Sequence, residues 1–315
     1  AGVYHGLGKT FPGATTPWGM TQVSPNTITG GDNGPGYSDE HTTIEGFALT
    51  QMSGIGWYGD LGNFLVMPTT GELFTYRGTE QYPDKGYRSR YDKRSEKASA
   101  GYYSVFLSDY KIKAELTATP HCGIMRFTYP KHKQARIQID LARRVGGTST
   151  RQYIERVDDR TIRGWMRCTP AGGGWGNGSG KADYTVYFYA QFSCPLKEYG
   201  IWNTDIPDNW TRRLGDIGKP EYVDRIIHAE KFRNRDETEF PTEEGDEVIV
   251  KAGISFVSMK GAEMNLKAEV RGWDFDRYRD KAASLWDEAL GKIKVSGGTQ
   301  NMKTIFYTAL YRCYR

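Results

Sequence analysis

The stretch "GIGWYG", residues 54–59, has the G-x-G-x-x-G spacing of a turn that wraps backbone amides around a pyrophosphate. That chemistry needs a strand before the turn, a helix after it, and an acid about twenty residues further on for the ribose. The chain instead continues with "DLGNFLVMP". Gly62 weakens a helix and Pro68 ends one, and Phe64–Met67 reads as a strand. The acid at the right distance, Glu80, sits in "RGTEQYPDKG", a loop composition, and no G-K-[ST] comes after the glycines. Dinucleotide and phosphate-cradling readings therefore fail on context. Clearance is the other use of closely spaced glycines, since they let backbone approach a ligand. Trp57 offers a flat face for stacking, and Ser53 and Asp60 offer hydrogen bonds. This mix suits a sugar. A tight turn around a buried Trp57 is the competing explanation.

Other chemistry-bearing residues are less marked. "TPAGGGWGNGSG" (169–180) surrounds Trp175 with glycines and reads as a flexible hairpin ahead of a sugar platform. "RRVGG" (143–147) reads as a strand-end turn, from which Arg143 or Arg144 would reach a second domain. His121, His132 and His228 show no metal-ligand spacing. Cys122, Cys168, Cys194 and Cys313 lie far apart without C-x-x-C spacing, so thiols, or one disulfide in an exported protein, are expected rather than zinc. Asp39, Glu40, Asp60 and Asp183 are carboxylates in suggestive places, but no pairing in the sequence marks an acid and a base. The 42 basic and 38 acidic residues leave a net charge of only +4, which gives no argument for nucleic acid. The densest basic stretch, "KGYRSRYDKRSEK", has acids interleaved and reads as a solvated loop. No apolar run approaches the length of a membrane span.

These residues must be positioned by the surrounding elements. Residues 1–101 are rich in Gly, Pro, Thr, Asn and Tyr, with short strand-like pieces, and predict a loop-dominated region on a scaffold. From 102 the texture changes. "YYSVFLSDY", "KIKAELTAT", "GIMRFTY", "ARIQIDL", "RQYIERV" and "TIRGWMRC" alternate with period two and are separated by turn signals. "DYTVYFYAQFSCP" and "DEVIVKAGISFVS" are the longest predicted strands. This pattern predicts an antiparallel sandwich or barrel. Residues 196–245 are weakly patterned, and "KPEYVDRIIHAEKF" fits a strand or a short helix. From 261 the period becomes helical, with Tyr278, Ala282, Leu285, Trp286, Ala289, Leu290 and Ile293 on one face. Thr299 is a predicted N-cap of a last amphipathic helix, on which Met302, Ile305, Phe306, Ala309, Leu310 and Cys313 recur. No terminator comes after it, so the chain is expected to be the front part of a longer protein.

"KTFPGATTPWGMTQVSPNT", "GYSDEHTTIEGFALTQMSGIGWYGDLGNFLVMPTTGEL", "YTVYFYAQFSCP" and the stretch from "AEMNLKAEVRGWDFD" to "GGTQNMKTIFYTALYR" resemble, in the same order, glycoside hydrolase family 92. These are calcium-dependent bacterial α-mannosidases, and the resemblance runs along the whole chain. It implies a mainly β fold: an antiparallel β-sandwich (supersandwich-like), linker helices, and the first helix of a truncated (α/α)6 barrel. The corresponding boundaries are 1–258, 259–298 and 299–315. It implies inverting exo-hydrolysis of α-mannosides, α-1,2 linkages foremost, by an acid and a base roughly 6.5–9.5 Å apart. Acid, base and calcium ligands are expected mainly beyond Arg315, so this segment alone would be inactive and no catalytic residue is assigned to it. The carry-over falls on Gln51, Ser53, Gly56, Trp57 and Asp60 as substrate-binding residues, with Trp57 a wall of a mannose pocket. Two departures bear on linkage preference: Gln51-Met52 stands where family members often have His-Leu, and the N-terminal glycine-histidine run is shortened to "HGLGKT". Implied partners are a mannose-containing oligosaccharide and the absent helical barrel, and the implied location is periplasmic or extracellular, with surface lipoprotein as a variant. A stand-alone carbohydrate-binding module, or the sandwich of another sandwich-plus-barrel hydrolase or phosphorylase, are the competing readings.

Overall fold

The computed structural model describes residues 11–27, 36–51, 61–79, 82–145, 147–172, 183–196, 201–204, 224–230 and 242–315. Among them, two large antiparallel sheets dominate. One runs, edge to edge, Ala14–Thr15, Gln22–Asn26, Gly46–Ala48, Leu65–Thr70, Ala135–Asp140, Asp224–Glu230, Ile201–Thr204. The other runs Arg151–Arg156, Thr161–Cys168, Tyr184–Phe192, Asp246–Ser255, Cys122–Tyr129, Ile112–Ala118, Tyr102–Leu107, Lys97–Ser99.

The period-two stretches become strands because alternate side chains can then enter one shared core. In Thr161–Cys168, Ile162, Met166 and Cys168 are buried while Arg163, Trp165 and Arg167 are at least partly exposed. Phe47 and Phe127, from opposite sheets, meet at 6.1 Å, and Phe64 meets Phe188 at 4.6 Å. A single apolar core joins both sheets, as a sandwich requires. The open segment resolves as strand Asp224–Glu230, paired to Ala135–Asp140. One boundary differs from expectation: Pro68 does not end its strand, which runs from Leu65 to Thr70. The neighbouring Gly46–Ala48 pairs only at Phe47–Val66, so Pro68 lies at an edge-like place where a missing amide is tolerated.

Three helices complete the chain: α1 (Met259–Glu269), α2 (Phe275–Leu290) and α3 (Gln300–Tyr314). Each is started by a side chain that accepts a backbone amide: Ser258 from Gly261, Asp274 from Arg277, and Thr299 from Met302. α1 lies on the outer face of the eight-stranded sheet, with Ala262 and Leu266 packed among Ile124, Tyr189 and Ile249. Gly253 permits this approach, since a Cβ there would stand 2.4 Å from the Ala262 carbonyl oxygen. α2 buries Tyr278, Ala282, Trp286 and Ala289, and the Trp286 indole donates to the Thr15 carbonyl at 2.7 Å. Ile293 falls past the end of α2 and is 44% exposed, because the helical stripe no longer governs its direction. α3 is held to α2 by Tyr311 against Trp286 at 4.3 Å, yet Met302 and Ile305 remain 61% and 69% exposed.

Candidate functional site

Of the sequence-selected sugar-binding residues, Ser53, Gly56, Trp57 and Asp60 lie outside the described residues, as do Glu80 and Trp175. Gln51 is described, and so are both shoulders of the glycine loop. Gln51 is 3% exposed, and its amide nitrogen donates to Asn26 Oδ1. Among the described residues, Gln51 Oε1 and Asn26 Nδ2 have no partner. The pair thus leaves one acceptor and one donor unpartnered, both buried, the two functions a hydroxyl can satisfy at once. Gly36 is required beside them. Its φ is +78°, and a Cβ there would come within 2.9 Å of both Asn26 Oδ1 and Gln51 Oε1.

The chain re-emerges in a left-handed stretch. Leu61, Gly62 and Phe64 have φ of 67°, 77° and 56°. Non-glycine residues persist there only when neighbours over-determine them. Here they do. The Leu61 amide donates to Tyr184 Oη (2.9 Å), the Val145 amide donates to the Leu61 carbonyl (2.8 Å), and the Gly62 amide donates to the Thr50 carbonyl. Asn63, fully buried, is the hub. Its amide donates to Thr50 Oγ1 (2.9 Å), and its side-chain nitrogen donates to the Arg143 carbonyl (3.1 Å) and to Cys168 Sγ (3.4 Å).

Beneath this hub is a buried charge cluster. Glu45, with no exposed side chain, receives Arg88 Nη2 at 3.2 Å and Arg143 Nε at 2.7 Å. Arg88 also donates to the Thr27 carbonyl and Thr43 Oγ1, both at 2.8 Å, and Arg143 to the Arg144 carbonyl at 2.7 Å. Buried ions persist only with such multiple partners, because desolvation costs several kcal/mol per ion, as an order of magnitude. The expectation that Arg143 or Arg144 reaches a second domain needs correction. Both are buried, at 3% and 1%; Arg143 serves Glu45, and Arg144 donates to the Thr169 carbonyl and lies 5.8 Å from the Tyr184 ring. They sit in a short ribbon whose side chains turn into the sandwich.

Four further candidates make structural contacts, and the side chain of His228 lies outside the described ones. His121 binds Glu269 on α1, and His132 Nδ1 pairs with the Gln134 backbone. Asp39 pairs with Lys93, and Asp183 with Arg167, each at 3.0–3.1 Å. All four cysteines are thiols; burial pushes that of Cys122 up. Asn26, Glu45, Arg88, Asn63 and Tyr184 were not selected from sequence. No local pattern marks them, since their partners lie 13 to 123 residues away. For calcium, the described residues contain no group of three or more His, Cys, Asp or Glu able to hold a metal ion, so no step on this chain is derived through one.

The architecture is an antiparallel sandwich continued by helices, and comparison with known proteins specifies its family. Residues 2–255 match the glycosyl hydrolase family 92 N-terminal domain, and residues 261–315 match the family's catalytic domain. The chain belongs to glycosyl hydrolase family 92. The family GH92 α-mannosidase BT3965 from Bacteroides thetaiotaomicron is 35% identical with a TM-score of 0.82, over 98% of this chain and 39% of that one. The same enzyme is known in complex with mannoimidazole. The inverting mannosidase BT2199 of that bacterium is 25% identical, with a TM-score of 0.72, over 98% of this chain and 37% of that one. An uncharacterised secreted glycosidase of Arthroderma benhamiae is 27% identical over 97% of this chain and 39% of its own length. The chain therefore spans about two fifths of these relatives.

Proposed function

We propose that this chain is the N-terminal sandwich, with linker helices and the first barrel helix, of an inverting, calcium-dependent exo-α-mannosidase that cleaves mannose-containing glycans, α-1,2 linkages foremost. The boundaries are 1–258, 259–298 and 299–315. The observation that carries the reading is the 35% identity with an α-mannosidase across 98% of the chain. The anchored loop gives it chemistry. Gln51, Ser53, Gly56, Trp57 and Asp60 form one wall of the mannose pocket. Trp57 packs on the ring, Asp60 and Ser53 bond hydroxyls, and Gly56 leaves clearance. The unpartnered Gln51 Oε1 and Asn26 Nδ2 support a hydroxyl at the loop's base. The chain's residues bind and orient the sugar; the acid, the base and the calcium ligands belong to the helical domain. The exposed Met302 and Ile305 on α3 favour a helix covered by that domain over a stand-alone binding module. The secreted relative supports a periplasmic or extracellular location.

The test is hydrolysis of α-1,2-mannobiose by the longer enzyme, with the product anomer followed by NMR. The reading expects β-mannose first, loss of activity with a chelator, and at least a tenfold fall in kcat/KM for Trp57→Ala, about 1.4 kcal/mol of transition-state binding. Chelator-resistant activity, or phosphate-dependent cleavage, would overturn it.

A further inference from the structure

The outer face of the eight-stranded sheet carries a row of aromatic side chains that the proposed pocket does not use. Tyr153, Trp165 and Tyr187 occupy directly opposed register positions on three adjacent strands. Each is flanked along its strand by inward-facing neighbours such as Gly164 and Met166, so all three point away from the core. Tyr187 packs beneath the α1 cluster, which walls one end of the row. Tyr153, on the edge strand, is 36% exposed. The Tyr153 and Trp165 rings are near-parallel, 17° apart, with centroids separated by 6.1 Å. That spacing is too long for full face overlap, and Trp165 is half-buried.

Tyr153 is held in place, because its hydroxyl donates to Glu155 at 2.8 Å. Ion pairs border the platform on both sides: Glu155–Arg163 on one and Arg167–Asp183 at 3.1 Å on the other. All four charged side chains are between one third and just over one half exposed. Both of these arginines have a carboxylate, and Arg151 stands exposed opposite Arg167 on the same face. The border thus offers donors and acceptors, the two functions that the paired hydroxyls of a pyranose use. Cross-strand aromatic pairs do stabilise sheets, but this pair lies at a sheet edge, where packing alone would favour burial of a Trp.

We infer that the Tyr153–Trp165 platform is a second glycan-binding surface, which takes a neutral pyranose of a mannan chain by stacking. The substrate class rests on the mannosidase reading; the platform itself does not.

The test is affinity electrophoresis of the 315-residue chain through gels containing yeast α-mannan, dextran, or no polysaccharide. Retardation by mannan is expected, weakened about tenfold or more in both Trp165→Ala and Tyr153→Ala, as for a buried aromatic anchor. Phe106→Ala, at an exposed aromatic near the other end of the same sheet, should leave it unchanged. Tyr153→Ala at the edge strand guards against a folding defect in the Trp variant, and far-UV circular dichroism verifies both. No retardation by either polysaccharide overturns the inference, as does equal retardation of wild type and both folded variants. Retardation by dextran but not mannan, lost in both variants, upholds the platform and overturns its mannose assignment. Mannobiose hydrolysis by the longer enzyme, measured separately, tests the mannosidase reading without recourse to the platform.

Discussion

Glu45→Ala should be among the most damaging single changes to this chain. The carboxylate has no exposed side-chain surface and is shared by Arg88 and Arg143, themselves almost wholly buried. Its removal takes a carboxylate from two guanidinium groups in a medium that solvates them poorly. Loss of one partner of a buried pair costs about 3–5 kcal/mol. For domains of this size, each kcal/mol moves Tm by about 2–4 °C, so a fall of roughly 6–20 °C is expected. Replacement of all three residues by apolar groups of similar volume should recover much of that loss, because neither guanidinium is then left buried without Glu45. Differential scanning calorimetry of wild type, Glu45→Ala, Glu45→Gln and the triple replacement reads the series directly. Glu45→Gln should fall between wild type and Ala, since it keeps the shape and some hydrogen bonds. A Glu45→Ala protein that melts within about 2 °C of wild type, the low end of the shift per kcal/mol, would show that the cluster is hydrated or rearranges freely, and would refute the argument.

The same geometry sets three further outcomes. Gly36→Ala places a Cβ against Asn26 and Gln51 at a left-handed φ of +78°; it should cost about 1–2 kcal/mol in chemical denaturation and, in the longer enzyme, raise KM more than it lowers kcat. Asn63→Leu removes the side-chain bonds to the Arg143 carbonyl, Cys168 Sγ and the Thr50 hydroxyl while the backbone bond to Thr50 stays; a loss of about 1–3 kcal/mol is expected by urea titration, with mannobiose turnover by the longer enzyme reduced even where folding is complete. Burial raises the Glu269 pKa, but hydrogen bonds from Thr119 Oγ1 and from the His121 amide and ring outweigh it and hold the carboxyl below its ordinary value. A depressed folded-state pKa gives stability that is present above the unfolded value, near 4.5, and is lost as pH falls through the folded one. The acid limb of a Tm-versus-pH profile should therefore flatten in Glu269→Gln.

The sandwich strands between 102 and 168 were legible because one buried face and one wet face impose period two on each strand separately. α2 was legible for the same kind of reason, with Tyr278, Ala282, Trp286 and Ala289 all buried as their spacing predicts. The proposed site is visible in the sequence only as the loop that contains Trp57. What prepares that loop is not, because it is assembled from pairs such as Gln51 with Asn26, Asn63 with Arg143, and Glu45 with Arg88 and Arg143, at separations of 25 to 98 residues. A periodicity argument sees one element at a time and is blind to such pairs. Arg143 shows the consequence. Two adjacent arginines in a strand-end turn suggest contact with a second domain, yet both are buried, with Glu45 and the Thr169 carbonyl converging on them. The glycines of "GIGWYG" raised a question that local spacing alone answers wrongly. Shoulders held by a buried amide pair on one side and by Asn63 on the other keep the loop's two ends fixed on the sandwich. Fixed ends lower the entropy that the proposed wall would lose on binding, and the residues that fix them include Gln51 and Asn26, which the proposed pocket itself uses.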